Sequence, residues 1–207
     1  MSYSKFVIAS GNAGKLKEFK QLFADTDINI CPQSDFDVPE AIEDGLSFIE
    51  NAIIKARNAA KHSGLPSIAD DSGLEVDALN GAPGIYSARF SEDHNGVRVS
   101  DDTNNAKLLG LLDGVSEEQR SARFVCALAF MRHENDPSPV VCAARWEGVI
   151  LPAPRGESGF GYDPIFYVPE YACASAELDR DIKNRVSHRG QALKILLDQL
   201  NELGLLL

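Results

Sequence analysis

Residues Ile68 to Val76 form an apolar approach that ends on two adjacent carboxylates, Asp70 and Asp71, followed by Ser72 and Gly73. Side chains alternate along an extended strand, so both acids meet one ligand only if the strand stops there, and Gly73 is the residue to stop it. Carboxylates at a strand tip suit a hard cation such as Mg²⁺, which takes one or two of them and fills its shell with water and substrate phosphates. Asp, Ser and Gly are also ordinary turn formers, and this pattern alone leaves both readings open.

Three further stretches carry chemistry. Ser10-Gly11-Asn12-Ala13-Gly14-Lys15 lies between an apolar run and a helical pattern, so backbone N–H groups at a helix start and the Lys15 charge would face a phosphate. It is not a Walker A loop, because the glycine spacing is too short and Leu16 stands where Ser or Thr should follow the lysine. Gly159-Phe160-Gly161-Tyr162-Asp163-Pro164 interleaves two aromatic rings with glycines, which serves either as a stacking platform for a base or as core plugs in a tight turn. Lys183, Arg185, His188 and Arg189 bring cations to the start of the last helix, where an anion or a base edge would be read.

The elements that must position these residues follow from periodicity. Phe6 to Ala9 and Ile28 to Cys31 read as strands, with Leu16, Phe19, Leu22 and Phe23 at helical spacing between them. An acidic loop from Pro32 to Gly45 precedes a helix announced by the capping box Ser47-x-x-Glu50, whose Phe48, Ala52, Ala56 and Ala59 make a narrow packing face and whose Glu50, Asn51, Lys55 and Arg57 read as a solvated polar face. Gly64 closes that helix ahead of the Asp70 strand. Asp101 to Leu112 is helical, and Arg123 to Met131 with Val140 to Ile150 reads as a hairpin across a proline-broken connection. Leu193, Leu196, Leu197, Leu200 and Leu203 form one face of the final helix. Strands alternate first with helices and then with a hairpin, so an α/β fold with a mixed sheet is expected, in one domain over residues 1–207.

The composition, 44% apolar and 25% charged, is that of an ordinary globular protein. A formal net charge of −11 excludes a coat for nucleic acid or for an anionic membrane, and favours a pocket that gathers cations locally. The four cysteines form no C-x-x-C pair and have no histidine at zinc spacing, and three of them read as buried thiols. With no run long enough for a membrane span and no signal-peptide pattern in Met1 to Ser10, a cytoplasmic location is expected.

The combination resembles the inosine triphosphate pyrophosphatase family of house-cleaning enzymes. The matching motifs are the Ser10 to Lys15 turn, Gly45 to Ala52, Ala69 to Leu74, Gly81 to Arg89, Gly159 to Pro164 and Ser187 to Ala192, in family order. The resemblance implies an elongated mixed central sheet flanked by helices, in two lobes with the active site in the cleft between them, and a homodimer. It implies Mg²⁺-dependent hydrolysis of non-standard purine nucleoside triphosphates to monophosphate and pyrophosphate. In that likeness Ser10, Gly11, Asn12, Ala13, Gly14 and Lys15 hold the triphosphate, and Asp71 is proton acceptor and metal ligand. Ser72 touches substrate, and Glu43 is the second metal acid ahead of Glu40 and Asp44. Phe160, Gly161, Tyr162 and Asp163 receive the purine, Lys183 contacts the nucleotide, and His188 with Arg189 reads the base. A non-catalytic nucleotide-binding regulator is the alternative, distinguished by binding without turnover.

Overall fold

The computed structural model describes residues 3–24, 26–92 and 99–206, apart from the Leu22 side chain. Its strands are β1 (Lys5–Ile8), β2 (Asn29–Pro32), β3 (Ser67–Val76), β4 (Ser121–Met131), β5 (Val140–Ile150), β6 (Phe166–Val168) and β7 (Cys173–Ala174). They join one seven-stranded sheet in the order β2-β1-β3-β4-β5-β6-β7. β1 runs parallel to β2 and β3, whereas β6 runs antiparallel to β5 and β7, so the sheet is mixed. The parallel pairs fall where a helix makes the crossover, α1 (Ala13–Leu22) after β1 and α2 (Phe48–Ser63) after β2. The remaining helices are α3 (Asp101–Leu111), α4 (Arg180–Val186) and α5 (His188–Glu202). No helix of the described residues is long and apolar enough to cross a membrane.

The chain packs as two compact units, Met1–Asp71 with Cys126–Ala144 and Arg189–Leu207, and Ser72–Val125 with Arg145–His188. In the first unit the strand alternation sorts side chains by size. Phe6, Ile8, Ile68, Leu128 and Phe130 go to one core with Phe19 of α1 and Leu193, Leu196 and Leu200 of α5. Their neighbours Val7, Ala9, Ala69, Ala127 and Ala129 go to another with Ala52, Ala56, Ala59 and Ala60 of α2. Bulky residues thus meet two leucine- and phenylalanine-bearing helices, and small ones let α2 approach closely. Each fully buried large side chain contributes about 1.5–3 kcal/mol of transfer free energy. In the second unit Leu74, Leu108, Leu112, Phe124, Trp146 and Phe166 anchor a core of their own.

Ser47 caps α2 as the sequence predicts, its side chain accepting from Glu50 N–H, while the Glu50 carboxylate accepts from Leu46 N–H at 2.9 Å rather than from the Ser47 N–H of a capping box. Three expectations are corrected. Gly73 does not end the strand; β3 continues to Val76, because Leu74 and Val76 are themselves buried core residues and Ser87 Oγ takes the Leu74 N–H at 2.9 Å. Leu203 is 61% exposed, since α5 stops at Glu202 and releases it from the leucine face. Two thiols, Cys126 and Cys142, are buried rather than three.

Candidate active site

Because β3 runs straight through Asp70 and Asp71, the two acids point to different partners. In the first unit Asp70 Oδ2 lies 2.9 Å from Lys15 Nζ and 3.3 Å from the Arg189 guanidinium, which also pairs with Glu18. Asp71 Oδ1 lies 2.6 Å from Lys55 Nζ, and Asn51 Nδ2 donates to its other oxygen at 3.4 Å. Lys55 Nζ also meets Glu43 Oε2 at 3.0 Å. Of the three loop acids weighed in the sequence, Glu43 is therefore the one that shares a cation with Asp71.

Helix α2 builds this cluster from one face. Asn51 and Lys55 are four residues apart, and the helix stripe that carries them faces β3 and the acidic loop. Asn51 Oδ1 accepts from Gly45 N–H at 2.9 Å, and a Cβ on Gly45 would lie 2.7 Å from that oxygen and from Glu50 Cβ. Only glycine brings the loop end so near, which is how Glu43, two residues earlier, is held against Lys55.

The electrostatics separate the two acids. Burial alone would raise the Asp70 carboxyl, but Lys15 and Arg189 outweigh it and hold the group well below the usual carboxylate range. Burial pushes Asp71 upward, with Lys55 pulling the other way. Lys55 is itself raised: burial disfavours its charge, but Asp71, Asp70 and Glu43 together more than compensate. Lys15 and Arg189 thus favour the carboxylate form of Asp70, which braces them, while burial lifts the proton affinity of Asp71.

The phosphate turn begins where β1 ends. Asn12 caps α1, its Oδ1 accepting from Lys15 N–H at 3.0 Å, and Asn12 N–H reaches Ser10 Oγ at 3.2 Å. Gly11 and Ala13 are exposed and Gly14 half-buried, so the first turn of α1 presents its N–H groups toward solvent. Lys15 gives Asp70 one of its three donors, which leaves the ammonium two more.

In the second unit the aromatic-glycine loop is tied by Asp163. This buried carboxylate accepts from Phe160 N–H at 2.8 Å, Ser175 Oγ at 2.8 Å and Lys183 Nζ at 2.6 Å. Tyr162 is a core plug, 4% exposed with its hydroxyl donating to the Ser87 carbonyl at 2.8 Å, whereas Phe160 is only half-buried and has Lys183 Nζ 5.4 Å from its ring centroid. Ser72 is half-buried. His188 stacks on Phe124 with centroids 4.8 Å apart and planes 13° from parallel, and Trp146 continues the stack. His188 falls in the second unit and Arg189 in the first, so these neighbours serve different surroundings.

The sequence motifs group the acids, the turn and the loop, whereas Lys55 and Asn51 fall on a helix face that the pattern reads as solvated. The available signal for these two was an amide and a cation four residues apart on a helix whose packing face is alanine. Nothing in the sequence marks Glu18 or Phe124.

Comparison with known proteins identifies the family. The sequence profile of the Ham1 family matches residues 6–199. The chain belongs to the Ham1 family. A Ham1-family relative, the dITP/XTP pyrophosphatase of Thioalkalivibrio sulfidiphilus (strain HL-EbGR7), is 58% identical over 95% of this chain and 98% of its own length. A HAM1 protein from Coxiella burnetii superposes with a TM-score of 0.87 at 49% identity, over 98% of this chain and all of that one. The Staphylococcus aureus Ham1 protein gives 0.83 at 40% identity, over 96% and 98%. Both likenesses extend over nearly the whole chain, in agreement with the mixed sheet flanked by helices. As a Ham1-family member the chain is an enzyme, a hydrolase of the pyrophosphatase class.

Proposed function

We propose that this Ham1-family enzyme hydrolyses non-standard purine nucleoside triphosphates, those of inosine, deoxyinosine and xanthosine, to the monophosphate and pyrophosphate, and so cleanses the nucleotide pool. The observation that carries the reading is the convergence of the Asp71 and Glu43 carboxylates on one cationic point, Lys55 Nζ, at 2.6 and 3.0 Å. Two hard oxygens brought to one point fit Mg²⁺, which needs few protein ligands and takes the rest from water and phosphate. When bound, Mg²⁺ would supply charge neutralisation to the phosphates.

The rest falls to the chain's own residues. The first-turn N–H groups of α1 with Lys15 bind phosphate oxygens, and Asp70 holds the Lys15 ammonium in place. Asp71 accepts the proton of the attacking water as the water oxygen bonds to phosphorus and the phosphoanhydride bond breaks, with its electron pair leaving on pyrophosphate. At the base end Phe160 offers a ring face, Lys183 a cation, and His188 a donor for a 6-oxo group. Adenine presents an amino group there, and the resulting unmatched donors reject it. Arg189 reaches a base edge only by leaving Asp70 and Glu18, so we give it first the role of bracing Asp70. The family likeness supports a homodimer, and four free thiols suit a reducing cytoplasm.

The test is product identity. Phosphorus NMR of a reaction with inosine triphosphate and Mg²⁺ in ¹⁸O-labelled water should show pyrophosphate and inosine monophosphate. Orthophosphate with the diphosphate would move the cleaved bond and refute the assignment.

A further inference from the structure

Besides the contacts of Tyr162 and Asp163, the base-end loop has two anchors on α3. Gly161 N–H donates to Asp101 Oδ2 at 2.7 Å, and Asn105 Nδ2 donates to the Gly161 carbonyl at 3.0 Å. Asp101 and Asn105 are four residues apart on one helix and share a face. Together they grip the N–H and the C=O of a single residue, and hence both peptide planes that flank it. Gly161 has φ of +62°, a left-handed conformation that glycine adopts without steric cost and as one of several open to it, so the two bonds select it.

Asn105 is 6% exposed, and its Oδ1 is buried with no hydrogen-bond partner among the described residues. A buried amide that leaves one atom unsatisfied carries a free-energy penalty an apolar residue would avoid, so the bond Nδ2 makes to Gly161 is what this side chain contributes here. Helix α3 is itself fixed at this end by a reciprocal Ser100 and Thr103 capping box. Next to Asn105, Asn104 accepts from Ser91 N–H at 2.7 Å and donates to the Ala88 carbonyl at 3.2 Å.

We propose that Asp101 and Asn105 are specificity-determining positioning residues. They clamp Gly161 so that the half-buried ring of Phe160 and the buried ring of Tyr162, on either side of it, take one orientation, and the purine meets a single preset face. This inference rests on the base-end role given above to the Phe160 loop.

Asp101→Ala removes an exposed acceptor and leaves the core untouched, while Asn105→Asp puts a carboxylate oxygen where the Gly161 carbonyl expects a donor. For both, KM for inosine triphosphate and the calorimetric Kd of inosine monophosphate should rise about tenfold or more, with kcat within about twofold of wild type. The preference for inosine over adenosine triphosphate should narrow in step. Asp101→Asn, whose Oδ1 still accepts the Gly161 N–H, should restore wild-type values. Variants that lower only Tm, or that lower kcat at unchanged KM, overturn the clamp while leaving the base-end reading intact. A wild-type chain that turns over inosine triphosphate but binds the monophosphate no better than phosphate alone overturns the base-end reading, and the clamp with it.

Discussion

Asp71→Asn separates the chemistry of Asp71 from its packing. The amide has the same shape, so its oxygen still accepts from Lys55, now 2.6 Å from Oδ1, and Lys55 keeps Glu43 at 3.0 Å. Substitution also relieves the burial that pushes this carboxyl upward. The stability change is therefore about 1 kcal/mol, or a Tm shift within about 5 °C for a chain of this size. An amide accepts no proton at neutral pH, so the general-base contribution disappears: about 10²–10⁴ in rate, or roughly 3–5 kcal/mol of barrier. The assay is pyrophosphate release from inosine triphosphate under saturating Mg²⁺, with a thermal melt of the same sample. A folded variant that turns over within tenfold of wild type would refute the role given to Asp71, because no other acid in the cluster combines burial with an upward shift.

Other perturbations read other parts of the site. Arg189→Met takes from Asp70, whose side chain is 1% exposed, one of the cations it pairs with and leaves it the Lys15 pair; removing one partner at so buried a site costs on the order of 3 kcal/mol, seen as a Tm fall of roughly 6–12 °C. Lys55→Met strips the counter-charge from Asp71 and Glu43, so Tm should fall without metal and recover on adding Mg²⁺; a melt indifferent to Mg²⁺ would count against these two acids as a metal pair. Asp77 is held down to about 2 by hydrogen bonds from Arg123 and then Ser121, against an ordinary value of 3.8. A depressed folded value means stability that is fully present above pH 3.8 and lost as pH falls toward 2. Asp77→Asn should accordingly flatten the dependence of Tm on pH across that window, and an unchanged slope would show the pair to be inert.

Much of the architecture could be read from local pattern. The Ser47 cap, the alanine face of α2 and the bulky-small alternation of Phe6 to Ala9 are short-range signals, and each appears in the structure where the sequence puts it. The strand through Asp70 was misjudged at Gly73 because a glycine after Asp-Asp-Ser carries turn propensity, and only the burial of Leu74 and Val76 overrides it. Partners far apart in sequence were not legible. Glu18 and Arg189 meet across 171 positions, Asn105 and Gly161 across 56, and no spacing rule reports such contacts. Lys55 looked solvated because a helical lysine usually is; what makes it part of the site is that Gly45 lets the acidic loop close over it.

The central claim is a base-selective, metal-assisted release of pyrophosphate, and its most direct test is kcat/KM for inosine and adenosine triphosphates measured side by side, with Mg²⁺ and with a chelator. The account predicts turnover of the inosine compound that vanishes on chelation, with the adenosine compound slower by about 10² or more. Equal rates for the two purines would contradict the base-reading assignment, and undiminished turnover in chelator would contradict the pairing of Asp71 with Glu43 around a cation.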